Sequence, residues 1–207
     1  MEFEEMLKDL KMNWEFMQPY RSAIQIVKTK LESIDDELKC ENGDSPIHNI
    51  QSRIKTPDSI LEKMARKGYS IDKKGFYQLN DIAGLRVVCH YINDIQYVSQ
   101  LLIMHEDIQL VKKENYIDYP KESGYRSLHL VVRVQIYLKN GKVSIPVEIQ
   151  LRTIAMDCWA SLEHELYYKN HHCENEEVSS QLKECAIEIA KIDEKMQKIY
   201  QQLHNKI

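Results

Sequence analysis

The stretch Ser127-Leu-His-Leu-Val-Val-Arg-Val-Gln-Ile-Tyr-Leu-Lys-Asn-Gly-Lys-Val-Ser-Ile-Pro-Val-Glu-Ile-Gln-Leu-Arg152 decides the fold. Its first half alternates with period two, placing Leu128, Leu130, Val132, Val134, Ile136 and Leu138 on one side and His129, Arg133 and Gln135 on the other. That is the pattern of a strand with one buried face. Asn140-Gly141 follows, a dipeptide that favours a tight hairpin because both residues tolerate positive φ. The second half alternates again, with Val143, Ile145, Val147, Ile149 and Leu151 inward and Ser144, Pro146, Glu148, Gln150 and Arg152 outward. Pro146 cannot donate to a ladder, so an edge position or a bulge is expected near the start of this strand.

Working outward, residues 82–91 around Leu85, Val87 and Cys89 read as a third strand. A helical pattern spans Ile95 to Met104, and another helix follows the hairpin from about Ile154 to Tyr168. Upstream, Tyr20, Ile24, Val27, Leu31, Ile34 and Leu38 recur in fours and threes, the seam of one long helix that Gly43 and Pro46 end. Thr56-Pro57-Asp58 opens a short helix with a capping side chain and proline at the first helical position, and Gly68 closes it. The tail carries Val178, Leu182, Cys185, Ile189, Ile192, Met196, Ile199 and Leu203, a heptad seam. The expected class is α+β: a mixed β-sheet flanked by helices, with long N- and C-terminal helices.

Composition narrows the function. Among 207 residues, 28 Lys and Arg face 32 Asp and Glu, a formal charge of −4, so binding to nucleic acid through net charge is disfavoured and any anion site must be local. No apolar run reaches the roughly 20 residues of a membrane span. Glu2, Glu4 and Glu5 are unlike a signal peptide, and five cysteines without a Cys-x-x-Cys pair suggest neither a disulfide framework nor a zinc site. A cytoplasmic protein without membrane contact is expected.

Several constellations could carry chemistry. Period-two geometry aims Glu148, Gln150 and Arg152 to one side, and His129 on the neighbouring strand joins them, making either a cleft or the solvated outer face of a sheet. Ser59, Lys63 and Arg66 form one stripe of the short helix, with Arg53 and Lys55 before it. Arg forks, ammonium groups and a helix N-terminus suit a triphosphate, although a solvated basic face has the same pattern. Asp81 precedes the strand that carries Arg86; it is either a turn residue or, with Glu148, an oxygen-rich Mg²⁺ site. The loop Tyr119 to His129 could stack a base on Tyr125 and hold phosphate with Lys121, or be an ordinary surface loop. The tract His171-His172-Cys173 reads as an exposed loop beside acids. Neither Gly-x-x-x-x-Gly-Lys nor Gly-x-Gly-x-x-Gly occurs, and there is no Asp-x-Asp or His-Asp.

Four motifs in order, Arg53-Ile-Lys55-Thr-Pro-Asp-Ser59, Asp81-Ile-Ala-Gly-Leu-Arg86-Val, Gly124-Tyr-Arg-Ser-Leu-His129 and Glu148-Ile-Gln-Leu-Arg152, resemble RelA/SpoT-type synthetase domains. The continuation Thr153-Ile-Ala-Met-Asp-Cys-Trp-Ala-Ser-Leu-Glu-His164 is similar to the small stand-alone members, and the likeness runs from about Trp14 to Lys169. The resemblance implies a nucleotidyltransferase-like sheet that transfers pyrophosphate from ATP to the 3′-hydroxyl of GDP or GTP. It implies that Arg53 and Arg86 sandwich adenine while Lys55, Ser59, Lys63 and Arg66 hold the phosphates. Asp81 and Glu148 would hold Mg²⁺, with Glu148 accepting the 3′-hydroxyl proton. Tyr125 would stack guanine, with Lys121, His129, Gln150 and Asp157 around the acceptor. Asp157 stands where some relatives have asparagine, and Glu114 in Lys112-Lys-Glu-Asn115 fits the acidic form of a family charge motif. The implied organisation is an N-terminal helical segment (1–45), a synthetase domain (46–170) and a C-terminal heptad helix (171–207), without a hydrolase domain. The implied assembly is a homo-oligomer, a tetramer held by the end helices; the alternative is that these helices pack on each other or on the sheet within one monomer. Further partners would be an allosteric guanosine nucleotide or single-stranded RNA. The rival expectation is a catalytically weak nucleotide- or single-stranded-RNA-binding regulator, against which an intact Asp81 and Glu148 argue.

Overall fold

A computed structural model describes residues 10–139, 141–169 and 176–204, together with Glu5. Helix α1 (Leu10–Asn42) leads into β1 (Ile47–Ile54), α2 (Pro57–Arg66), a short α3 (Lys73–Phe76) and β2 (Ala83–Cys89). Then come α4 (Ile92–Met104), β3 (Ile108–Asn115), β4 (Leu128–Leu138), β5 (Gly141–Thr153), α5 (Ile154–Lys169) and α6 (Glu176–His204). The five strands form one mixed sheet in the order β1-β2-β5-β4-β3. The β2/β5 pair is parallel and the other three are antiparallel. No helix among the described residues is long and apolar enough to cross a membrane.

One face of the sheet carries the core. Leu128, Leu130, Val132, Val134 and Ile136 from β4 and Ile145, Val147, Ile149 and Leu151 from β5 are all buried, as their alternation requires. Helix α1 lays its seam on this layer, and Tyr20, Ile24, Val27, Leu31, Ile34 and Leu38 are each at most 4% exposed. Burying one such aliphatic side chain is worth on the order of 2 kcal/mol, so a seam this long ties the helix to the sheet. The N-terminal seam is therefore spent within the chain, which corrects the expectation that it would hold an oligomer.

Two strands are additions to the three legible in the sequence. β1 and β3 occupy the two sheet edges, where β1 buries Ile47 and β3 buries Ile108 and little else. Pro146 meets the expectation of an edge position near the start of its strand, although β5 is the central strand of the sheet. Pairing of β5 with β2 starts at Val147, opposite Ala83, so Pro146 sits one residue before β2 begins and needs no ladder donor on that side. The hairpin register closes with Leu138 opposite Gly141, whose φ is +124°. Asn140 lies outside the described residues, as do His171, His172 and Cys173.

The two ends of α2 form as their residues dictate. The Thr56 side chain accepts from the Ser59 N–H (3.4 Å) with Pro57 at the first helical position. At the other end Gly68 takes φ +67° while Tyr69 and Gly68 donate to the carbonyls of Met64 and Ala65, the paired bonds of a Schellman stop. The sheet then passes into α5 through Thr153, whose hydroxyl caps Met156 N–H (3.1 Å) and donates to Asp193 of α6 (2.6 Å). Helix α6 docks by a narrow face of small and polar residues, Ala186, Ala190, Asp193 and Gln197. Leu182 and Ile189 of its apolar seam pack against Trp159, whereas the rest of the seam points outward, with Ile192 59% and Leu203 65% exposed.

Candidate active site

The second face of the sheet is polar and converges on β5. In register, Gln51 of β1 lies opposite Arg86 of β2, Arg86 opposite Gln150 of β5, Gln150 opposite His129 of β4, and His129 opposite Glu114 of β3. One polar row thus crosses all five strands. A second row, two residues along, sets Arg53 opposite Gly84 and Gly84 opposite Glu148.

On the β1 side the basic residues gather as their spacing predicts. A groove of about 520 Å³ is lined by Arg53, Lys55, Ser59, Lys63 and Arg66, with Thr56 and Glu62. Asp81 lies within this group, and its Oδ2 accepts from Lys55 Nζ and Lys63 Nζ, each at 2.5 Å. Burial alone would raise the Asp81 carboxyl, but the two lysines outweigh it and hold the group below the ordinary carboxylate range. Glu148 takes its hydrogen bond elsewhere, from Gln150 Nε2 at 3.0 Å. A smaller cavity of about 90 Å³ brings Arg53, Arg86, Glu148 and Gln150 together over Gly84.

On the β4 side Lys121, Tyr125, His129, Gln150 and Asp157 form one cluster. The Tyr125 hydroxyl is 2.7 Å from His129 Nε2, and Lys121 Nζ stands 4.9 Å from the Tyr125 ring centre. His129 is pushed down to about 4 by burial first, then by the charges of Lys121 and Arg152, so its ring is neutral near pH 7. Arg86 reaches Asp157 Oδ1 at 3.4 Å and links the two halves of the site.

Three more residues join the pocket: Arg152, expected only on the polar face of β5, Lys112, expected only within the 112–115 charge motif, and Tyr116, for which no role was expected. Arg152 is 5% exposed and donates to Tyr125, Gln150 and Asp157. Its place on the outward side of β5 was legible; its burial under α5 and the 121–127 loop was not. Tyr116 stands edge-on to His129 at 5.2 Å and donates to Glu114 (2.9 Å). Lys112, 2.9 Å from Glu114, holds that carboxyl below its ordinary range. No spacing signal marks Tyr116, which lies in the turn after β3.

A basic groove beside an aromatic pocket, with a carboxylate between them, defines a nucleotide-handling site. A family model described as the region found in RelA/SpoT proteins matches residues 52–173, and the chain belongs to the RelA/SpoT family. It is 42% identical over 178 residues to GTP pyrophosphokinase YwaC of Bacillus subtilis, covering 86% of this chain and 85% of that one. To GTP pyrophosphokinase YjbM of the same organism it is 41% identical over 187 residues, 90% and 88% of the two chains. The crystal structure of the small alarmone synthetase 1 from Bacillus subtilis bound to its product pppGpp superposes with a TM-score of 0.85 at 38% identity. That superposition covers 93% of this chain and 98% of that one.

Proposed function

We propose that this protein is a (p)ppGpp synthetase that transfers the β,γ-pyrophosphate of ATP to the 3′-hydroxyl of GDP or GTP and releases AMP. The observation that carries the reading is the joining of two unlike pockets by Glu148: a cationic groove for a triphosphate and an aromatic pocket for a second nucleotide. Arg53 and Arg86 flank the adenine, and Lys55, Ser59, Lys63 and Arg66 bind the phosphates. Tyr125 stacks the guanine, with Lys121, His129, Gln150 and Asp157 around the acceptor.

The O3′ oxygen attacks the β-phosphorus in line, forming the new P–O bond as the bond to the α-phosphate oxygen breaks and AMP leaves. Glu148 takes the hydroxyl proton. The chain contributes positioning and fixed positive charge, without a covalent intermediate. Asp81 and Glu148 suit Mg²⁺: both are hard oxygen donors, and this ion takes one or two carboxylates together with substrate phosphates. The lysine pair that keeps Asp81 ionised would pass to the phosphates when ATP enters. Bound there, Mg²⁺ would neutralise charge on the transferred group. The exposed seam of α6 would make the working form a homotetramer.

The test is direct. Pure protein is incubated with ATP, GTP and Mg²⁺ and the nucleotides are separated by anion exchange. AMP appearing with a more highly charged guanosine nucleotide is expected; binding of both nucleotides without turnover would replace the enzyme with a nucleotide-binding regulator.

A further inference from the structure

We propose that Arg152 is the positioning residue of the acceptor pocket, a donor-only hub that fixes the direction of the hydrogen bonds running to Tyr125 and His129 on one side and to Gln150 and Glu148 on the other. The inference deepens the reading of that pocket as the acceptor site and rests on it for its kinetic consequence.

A guanidinium carries five N–H donors, has no acceptor and keeps its proton. Arg152 Nη2 donates to the Tyr125 hydroxyl at 2.6 Å and to Gln150 Oε1 at 3.1 Å, while Nη1 donates to Asp157 Oδ1 at 3.1 Å. With its oxygen occupied, the Gln150 amide has only its NH₂ end to turn toward Glu148 Oε2, at 3.0 Å. The amide cannot flip, and it turns a donor toward the carboxylate. With Arg152 on its acceptor side, the Tyr125 hydroxyl turns its one proton to the atom in reach, His129 Nε2 at 2.7 Å. His129 is thereby the tautomer protonated at Nδ1, and Nδ1–H is the group it presents to a ligand.

The surroundings of His129 agree. Lys112 and Glu114 face it from β3, Tyr116 and Lys121 from the connecting loop, and Arg152 from β5; burial first, and this mostly cationic setting after it, keep the ring neutral. Arg152 also carries a buried Nε with no partner among the described residues. Such an orphan is a cost to stability, so the side chain is not placed to maximise its own bonds; the bonds it does make go to the pocket. Lysine keeps the charge but cannot form the fork, and glutamine can accept as well as donate, which frees both branches to reverse.

Long-range ¹H–¹⁵N spectra of histidine-labelled wild-type protein near neutral pH, with His129 assigned by its loss in His129→Gln, read the tautomer without substrate. Protonation at Nδ1 is expected, and a folded wild type protonated at Nε2 overturns the proposal. In Arg152→Gln the tautomer is expected to become mixed; an unchanged spectrum in a folded variant also overturns it. Kinetically, Arg152→Lys and Arg152→Gln are each expected to raise KM for the guanosine acceptor about tenfold or more, the loss of a charged hydrogen-bond pair, with KM for ATP within about twofold. Equal rises for both substrates, or none, would reduce Arg152 to a structural residue. If Arg152→Gln does not fold, the wild-type spectrum and the lysine variant still decide. If the wild type makes no guanosine 3′-pyrophosphate, the functional reading fails, while the tautomer measurement still tests the hub.

Discussion

Gly84 of β2 lies directly opposite Glu148 of β5, and a Cβ built on Gly84 would meet the Arg53 side chain at 3.6 Å. The gap left by the missing side chain is the small cavity where Arg53, Arg86, Glu148 and Gln150 meet. One methyl fits there at ordinary contact distance; a branched side chain does not. Gly84→Ala is expected to fold and work nearly as the wild type. Gly84→Val pushes Arg53 aside, and since overpacking costs about 1–3 kcal/mol, KM for ATP should rise about tenfold. Steady-state kinetics in ATP check this, and an unchanged KM in the valine variant would place ATP elsewhere.

Glu148→Gln keeps size, shape and the contact with Gln150 but can neither take a proton nor hold Mg²⁺ well. Its kcat should fall about a hundredfold or more, the usual cost of removing a positioned proton acceptor, with an unchanged circular dichroism spectrum. Retention of more than about a tenth of wild-type kcat would remove Glu148 from the proton transfer.

Asp81 makes a pH-dependent contribution to stability. Its folded carboxyl binds a proton less readily than the unfolded one, held so by Lys55 and Lys63 against the opposing effect of burial. The contribution is therefore complete above the unfolded value of about 3.9 and is lost as pH falls through the lower, folded value. Urea unfolding from pH 7 down to acid should show a shallower acid limb in Asp81→Asn than in the wild type. Parallel limbs would mean that the lysine contacts do not hold in solution.

Gly124 couples the 121–127 loop to α6. Its φ is +94°, and a Cβ there would stand 2.6 Å from Ala186 Cβ. Gly124→Ala meets two penalties, a left-handed backbone worth about 1–2 kcal/mol and a clash with the helix. Adding Ala186→Gly should restore only the part due to the clash. A double-mutant cycle by chemical denaturation separates the two, and full recovery would show that the backbone conformation costs nothing.

The apolar seam of α6 sets the expectation for assembly. Ile192, Met196, Ile199 and Leu203 are 41–65% exposed in the single chain, too much apolar surface in one line to remain bare. Light scattering at micromolar concentration should give a tetramer, and Ile192→Glu with Ile199→Glu, which puts unpaired carboxylates in the seam, should give smaller species. A monomeric mass for the unmodified protein overturns this.

What the sequence made legible follows the strength of its alternation. β4 and β5 are buried on one face over most of their length, from Leu128 to Ile136 and from Ile145 to Leu151, so their period-two pattern is clear. β1 and β3 are edge strands, and Ile47-His-Asn-Ile-Gln-Ser-Arg-Ile54 and Ile108-Gln-Leu-Val-Lys-Lys-Glu-Asn115 lack the buried face that would print a pattern. The basic groove was readable because helical spacing alone puts Ser59, Lys63 and Arg66 on one stripe. The hub at Arg152 was not, since its partners Tyr125 and Asp157 are brought to it by a loop and a helix whose docking no local spacing encodes. Asp81 was readable as a site residue, but its capture by two lysines depends on how β1 and α2 fold back over the start of β2.

The position of Pro146 has a consequence for solubility. Residues 141–144 of β5 lie before the start of β2, largely exposed, and would offer a bare strand edge to any passing extended chain, the geometry from which aggregates grow. A proline at the boundary supplies no donor to such a visitor, and the nearby Ser144 carbonyl is already engaged by the Arg133 guanidinium at 3.3 Å. The central strand thus carries its own gatekeeper at the place where its neighbour stops.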